Sequence, residues 1–176
     1  YIAFLKQIGA WGNVAVQDRL NIPVIKGGRT SYLRWSSRVP EAFGLLPSLL
    51  AFRHLGFLDK LRVAYGMTRI RGVRRSRAAV ELDAETFDAW LRQHGQNDST
   101  IENLWNLIVL PALNDEITEV SADAGIMLFQ TALMGGGAAA VIGYSRVALS
   151  KLAGQAATAF IESRGGEVRT STEVSR

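Results

Sequence analysis

The 176-residue chain contains no cysteine, which excludes a disulfide framework, a thiolate metal site and a thiol nucleophile. It has two histidines. His54 lies among apolar and basic residues with no acid at ligand spacing, so a two-histidine metal centre is not expected. His94 precedes Gly95 at an expected helix end, where an imidazole can meet the last carbonyls. No apolar run reaches the roughly 18 residues that span a bilayer, because Gly, Pro or Arg interrupts each one. None of the serines lies in a G-x-S-x-G elbow. Strands and helices do not alternate regularly, so a complete doubly wound sheet is not encoded. The start, Tyr1-Ile2-Ala3-Phe4-Leu5-Lys6, lacks a basic leader and an initiator Met, and Glu173-Val174-Ser175-Arg176 stops inside an apparent strand. These features lead us to expect an internal piece of a longer chain, with a reducing cytoplasm as the default compartment.

The composition, 48% hydrophobic, is enough for one sizeable core. A net charge of +4 hides an asymmetry. Residues 53–77 hold eight Arg or Lys (Arg53, Lys60, Arg62, Arg69, Arg71, Arg74, Arg75, Arg77) against Asp59, giving +7, whereas residues 78–119 hold nine acids against Arg92, giving −8. Two solvated faces that partly neutralise each other would explain this. A basic stretch interleaved with Leu, Phe and Tyr also suits an anionic membrane. No recognition motif accompanies the charge, so nucleic acid is not an expected partner.

The pattern predicts an α+β, mostly helical chain. Residues 1–12 read as a short amphipathic helix with Phe4, Leu5 and Ile8 on one side, stopped at Gly9. Leu20, Ile22 and Val24 alternate with polar neighbours, as do Leu33 and Trp35, around a Gly27-Gly28 turn: a β-hairpin at about 20–35. Leu46, Leu49 and Leu50, then Leu58, Leu61 and Tyr65 after Gly56, follow helical spacing, while 66–82 read as a basic loop with an extended piece near 79–82. Thr86 is expected to cap a helix carrying Phe87, Trp90 and Leu91 up to Gly95. Ser99-Thr100-Ile101-Glu102 has the form of a capping box before a stripe of Ile101, Leu104, Trp105 and Ile108, interrupted at Pro111. Ser121 is expected to cap a central apolar helix through Met134, and a last helix at 150–164 ends at Gly165-Gly166 before a strand beginning at Val168 and Thr170.

Few residues carry candidate chemistry. Gly135-Gly136-Gly137-Ala138-Ala139-Ala140 fits G-x-G-x-x-A, but a dinucleotide loop needs a strand before it and a helix after it. Here 126–134 read as helix and no acid follows about 20 residues on, so a flexible inter-helix loop is expected. Gly27-Gly28 lacks the further glycine and Lys-Ser/Thr of a phosphate loop. Asp115-Glu116 is expected to be solvated rather than an acid–base pair. Trp90, Trp105, Phe87 and Phe129 read first as core, with the wall of a hydrocarbon tunnel as the alternative that the sequence does not separate from it. No catalytic group is identified.

Two stretches carry a resemblance. Thr86-Phe87-Asp88-Ala89-Trp90-Leu91-Arg92-Gln93-His94-Gly95-Gln96 leads into Ile101-Glu102-Asn103-Leu104-Trp105 and Leu110-Pro111-Ala112-Leu113-Asn114. Tyr144-Ser145-Arg146-Val147-Ala148-Leu149-Ser150 leads to Phe160-Ile161-Glu162-Ser163-Arg164-Gly165-Gly166-Glu167-Val168-Arg169. The chain resembles the central region of FAD-dependent squalene-associated desaturases, regarded as hydroxysqualene dehydroxylases of hopanoid synthesis, which belong with phytoene desaturases and flavin amine oxidases. The resemblance implies the substrate-side region of a two-domain FAD-dependent oxidoreductase. Residues 1–164 would be the substrate-binding region, and 165–176 the start of a strand returning to the FAD domain. It implies that FAD is held mainly by segments absent from this chain, with Val174 the matching position for a contact near the flavin's adenine end. It further implies a C30 isoprenoid substrate, with the basic, Leu-rich 46–77 segment against the inner membrane face. The alternatives are a carotenoid or phytoene desaturase, a flavin amine oxidase, or a non-enzymatic lipid- or membrane-binding helical module.

Overall fold

A computed structural model describes residues 1–173, so Val174 lies outside the described residues. The chain divides into two compact units, Arg19–Val141, and Tyr1–Asp18 together with the residues from Ile142 onward. The structure is α+β and about 53% helical, with two small antiparallel sheets, in line with the mostly helical expectation.

In the larger unit, paired glycines close the hairpin. Gly27 and Gly28 take φ of 57° and 71°, which a side chain would oppose, and so join β2 (Asn21–Lys26) to β3 (Arg29–Arg34) in a two-residue turn. The register pairs Ile22 with Leu33 and Val24 with Ser31, placing Val24, Ser31 and Leu33 on the buried face. α2 (Leu46–Ala51) is tied to the edge of β3 through one hydroxyl: Ser48 Oγ donates to the Tyr32 carbonyl at 2.6 Å and accepts the Arg34 N–H at 2.8 Å.

The helices pack on a centre of Phe52, Val63, Ile70, Phe87, Leu91, Trp105, Val109, Ile126 and Phe129, each with essentially no solvent exposure. α3 (Phe57–Gly72) turns Val63, Gly66 and Ile70 inward. α5 (Phe87–Gln93) and α8 (Ala122–Leu128) start side by side. Thr86 and Ser121 form an antiparallel bridge, and their hydroxyls accept the N–H groups of Ala89 and Ala124 as N-caps. Phe87 crosses α8 where Gly125 leaves room, since a Cβ there would sit 2.3 Å from the ring. α6 (Asp98–Thr100), a π turn (Ile101–Trp105) and α7 (Asn106–Leu113) continue as one rod, which Asn114 ends in the left-handed region at φ 57°.

A buried side-chain amide, that of Gln96, ties the helices of this unit together. Gln96 Oε1 accepts the Trp105 indole N–H at 2.9 Å, and Gln96 Nε2 donates to the carbonyls of Arg62 at 2.7 Å and His94 at 3.2 Å. α3 can approach this pair because residue 66 is glycine; a Cβ would lie 2.9 Å from both Gln96 Nε2 and the Trp105 ring.

The smaller unit builds its own core from Leu5, Ala10 and Leu152, with Ile8, Trp11 and Val14 packed around it. α1 (Ile2–Gln7) buries Leu5, whereas Phe4 is exposed and stacks with Tyr1. β1 (Val14–Val16) pairs antiparallel with β4 (Gly143–Ser145), followed by a π turn (Ser150–Gln155) and α9 (Ala156–Glu162). Gly165, at φ 80°, follows the helix end where expected.

Three expectations need correcting. The basic 66–82 stretch is helical, not a loop with an extended piece: α3 runs to Gly72 and α4 (Arg75–Asp83) follows, with a kink at Ala78. Arg, Ala, Glu and Leu are good helix formers. Gln130 Nε2 also donates to the carbonyls of Ile70 at 2.8 Å and Val73 at 2.9 Å, supplying the C-terminal cap that the local sequence lacks. The capping box is Asn97–Thr100 rather than the 99–102 box, because Asn97 Oδ1 and Thr100 Oγ1 satisfy each other's backbone N–H while Ser99 Oγ donates to Asp59 instead. The strand expected from Val168 is not formed in residues 166–173, which find no pairing partner among the described residues and stay exposed.

Two outcomes follow. Gln96→Leu removes the acceptor of a fully buried indole N–H, so we expect a loss of about 1–3 kcal/mol by urea denaturation. A cycle with Trp105→Phe will show strong coupling, since the double variant no longer buries an orphan donor. Asp59 accepts from Asn97 Nδ2 at 2.9 Å and Ser99 Oγ at 2.8 Å, and these bonds, Asn97's first, hold its carboxyl below the ordinary range against the opposing effect of burial. Its folded-state pKa is depressed, so its contribution is fully present above about pH 4 and is lost as pH falls through the lower folded value. Asp59→Asn should therefore lower stability by a constant amount at neutral and higher pH and flatten its fall on the acid limb, so that variant and parent converge at low pH.

Candidate functional site

The hairpin, the loop that follows it, α2, α3 and the helix ending at Leu133 enclose a cavity of about 560 Å³ within the larger unit. That volume is of the size that holds a small organic ligand. Ile22 and Leu33 come from the hairpin, Leu46 and Leu49 from α2, Val63, Ala64 and Met67 from α3, and Leu104 and Ile108 from the long rod. Leu133, Met134, Gly135 and Gly136 close one end. Glu41, Arg71 and Thr68 bring polar or charged groups to an otherwise apolar lining. Phe43 and Leu46 line the cavity and are 55% and 40% exposed, so they mark its mouth.

Trp35 forms the wall that depends most on its neighbours. Its indole passes close to two glycines from distant parts of the chain. A Cβ on Gly44 would lie 2.3 Å from Trp35 Cε2, and one on Gly137 would lie 2.8 Å from Nε1. Glu41 Oε1 accepts the Gly137 N–H at 3.1 Å and so holds the glycine loop against the 3₁₀ turn Glu41–Phe43. Thr68 Oγ1 donates to the Tyr65 carbonyl at 2.7 Å, leaving that hydroxyl satisfied within α3.

This arrangement assigns the glycine motif. The 135–140 loop follows a helical segment, Phe129–Leu133, its residues 137–140 form a turn, and no helix follows it before the strand at Gly143. One of its amides is already bonded to Glu41. The loop therefore does not fit a dinucleotide pyrophosphate, and it serves as cavity wall. His94 Nδ1 meets the Trp90 carbonyl at 2.7 Å, the helix-end role expected for it, and His54 Nε2 lies 3.2 Å from the Val24 carbonyl. Among the described residues no cluster of His, Asp and Glu could hold a metal ion. Asp115 Oδ1 accepts the Glu116 N–H, and Glu116 Oε2 accepts from Asn106 Nδ2 on an exposed loop. Phe87, Trp90, Trp105 and Phe129 belong to the core and none lines the cavity, which settles the choice between core and tunnel wall left open by the sequence. The cavity's own aromatics are Trp35 and Phe43. Trp35 was visible in the sequence only as the end of a strand, and its contact with Gly137 joins residues too far apart to carry a local signal.

Gly44→Ala will drive the Trp35 indole toward the cavity. We expect weaker uptake of a long polyene or alkyl probe, by roughly tenfold for an overpacking of about 1–3 kcal/mol, together with a shift in tryptophan emission. Gly72→Ala, where an added Cβ meets nothing within 4 Å, should change neither.

No family model matches the chain. Over 135 residues it is 24% identical to a protein of Synechococcus elongatus described as "Probable zeta-carotene desaturase", an alignment covering 73% of this chain. The chain spans 28% of the length of that curated relative. The similarity is to a desaturase, and nothing in it singles out a squalene-specific protein.

Proposed function

We propose that this chain is the substrate-holding part of a FAD-dependent oxidoreductase that acts on a long isoprenoid. The apolar cavity within residues 19–141 is the observation that carries the reading, because a hydrocarbon ligand needs apolar walls and exclusion of water more than it needs hydrogen-bonding groups. The similarity to a carotene desaturase supports the same substrate class. FAD would supply the hydride chemistry. The Gly135–Ala140 loop does not fit its pyrophosphate, and the cofactor would be held by other parts of the protein, with Val174 as the proposed contact from this chain. The role of residues 1–173 is then to bind, align and dry the isoprenoid. Ile22, Leu33, Leu49 and Met67 would hold the chain of the substrate, and Trp35 would set the width of the channel.

Within that class we propose reductive removal of hydroxide from hydroxysqualene to give squalene, as in hopanoid synthesis, with location on the cytoplasmic face of the inner membrane. A carotenoid or phytoene desaturase is the second reading, favoured by the curated relative. The full-length protein, supplied with FAD kept reduced by excess dithionite, should convert hydroxysqualene to squalene, and with oxidised FAD and a quinone acceptor it should leave phytoene and zeta-carotene unchanged. Turnover of either carotene with none of hydroxysqualene would select the second reading, and turnover of neither would remove both.

A further inference from the structure

α3 carries more exposed apolar surface than a soluble helix needs. Phe57, Leu58, Leu61 and Tyr65 are 73%, 68%, 54% and 52% exposed. Their i, i+1, i+4, i+8 spacing gathers them on roughly a third of the helix circumference. The opposite face, Val63, Gly66 and Ile70, is buried, so α3 has two apolar faces and only one is covered by residues 19–141. Leu50 of α2 is 59% exposed, and the cavity mouth at Phe43 and Leu46 adds further exposed apolar surface.

Charge identifies what would cover this face. At helical spacing Lys60 and Arg71 fall on one flank of the exposed arc, and Arg62 and Arg69 on the other. The helix carries one acid, Asp59, whose carboxylate is occupied by Asn97 and Ser99. Among the described residues the basic 53–77 stretch contributes one ion pair, Arg75 with Asp123, and that acid lies outside the acidic 78–119 stretch. Arg62 and Lys60 donate to backbone carbonyls, those of Gly95 and Leu50, and Arg62 also faces the Asp59 carboxylate electrostatically, so that Lys60, Arg69 and Arg71 are the cations of α3 with no opposite charge beside them among the described residues. An apolar stripe flanked on one side by Lys60 and Arg71 and on the other by Arg69 matches a bilayer with anionic headgroups: the stripe enters the acyl boundary and the cations meet the phosphates. No helix among the described residues is long and apolar enough to cross a membrane, so the helix would lie in the interface.

We infer that the exposed face of α3 docks on an anionic lipid bilayer, and that an apolar ligand passes between the bilayer and the cavity through the mouth at Phe43 and Leu46. On α3 the cavity-lining residues Ala64, Met67, Thr68 and Arg71 sit beside the exposed arc, so the cavity adjoins the face that would meet the lipid. Docking itself is independent of the redox reading, whereas ligand loading rests on it.

The test is flotation of the full-length protein with vesicles of neutral phosphatidylcholine, alone or mixed with anionic phosphatidylglycerol. The protein should float with anionic vesicles far more than with neutral ones, and less as salt rises. A Phe57→Ser/Leu58→Ser/Leu61→Ser variant, altered only at exposed positions, should bind at least about tenfold more weakly. Lys60→Ala and Arg69→Ala should each cost about fivefold on anionic vesicles at low salt. Val80→Ser, at an 82% exposed position on α4, should float like the parent. With substrate carried in vesicles the triple variant should turn over slowly, and with detergent-dispersed substrate it should match the parent. Equal flotation with both vesicle types, or unchanged flotation of the triple variant, would overturn docking. So would a dimer of the parent that the triple variant dissolves without any vesicle binding. If neither form turns over detergent-dispersed substrate while flotation behaves as stated, the redox reading fails and docking stands.

Discussion

The larger unit is arranged around the hydrogen bond between the Trp105 indole and Gln96, buried under the backbone of α3 at Gly66. An indole N–H with no exposure must find an acceptor, and Gln96 provides it while donating to two carbonyls that would otherwise compete for water. This contact fixes the end of α5, the first turns of the long rod and the middle of α3 at one point. The ring of Trp105 then meets Phe129 edge-on at 5.0 Å and Phe87 at 6.3 Å, which carries the same alignment into α8. With one face of α3 committed here, its neighbouring face is left to line the cavity.

The cavity depends on that commitment and on small residues in the right places. Gly44 and Gly137 come from opposite ends of the larger unit's sequence, and together they leave a slot for Trp35. Ser48 holds α2 to the hairpin edge, and Glu41 holds the glycine loop to the 3₁₀ turn. A largely apolar space is thus bounded by polar bonds made at its rim, so its lining needs no buried unsatisfied group; among the described residues none is found.

Much of the local architecture was legible in the sequence. The Gly27-Gly28 hairpin, the Thr86 and Ser121 caps and the stops at Gly95 and Gly165 all form where expected. The misread capping box shows the limit of that legibility. Ser99 and Glu102 have the residue types of a box, but Asp59, some forty residues away, takes the Ser99 hydroxyl, and Asn97 and Thr100 cap the helix instead. The helical 66–82 stretch is similar, because its missing cap arrives from Gln130. The β1–β4 pairing was also not anticipated, since two three-residue strands so far apart carry no usable periodicity.

Composition and spacing by themselves determined which chemistries the chain lacks, where its turns and most of its caps fall, and that apolar and basic residues alternate along α3. These depend on residue type or on atoms within about four positions, which the sequence brings together without help. Only the tertiary structure decided that Phe87, Trp105 and Phe129 are core, that 135–140 is a wall rather than a cofactor loop, and which apolar face of α3 stays uncovered. Burial is a property of what packs against a residue, and those partners lie tens of residues away in the chain.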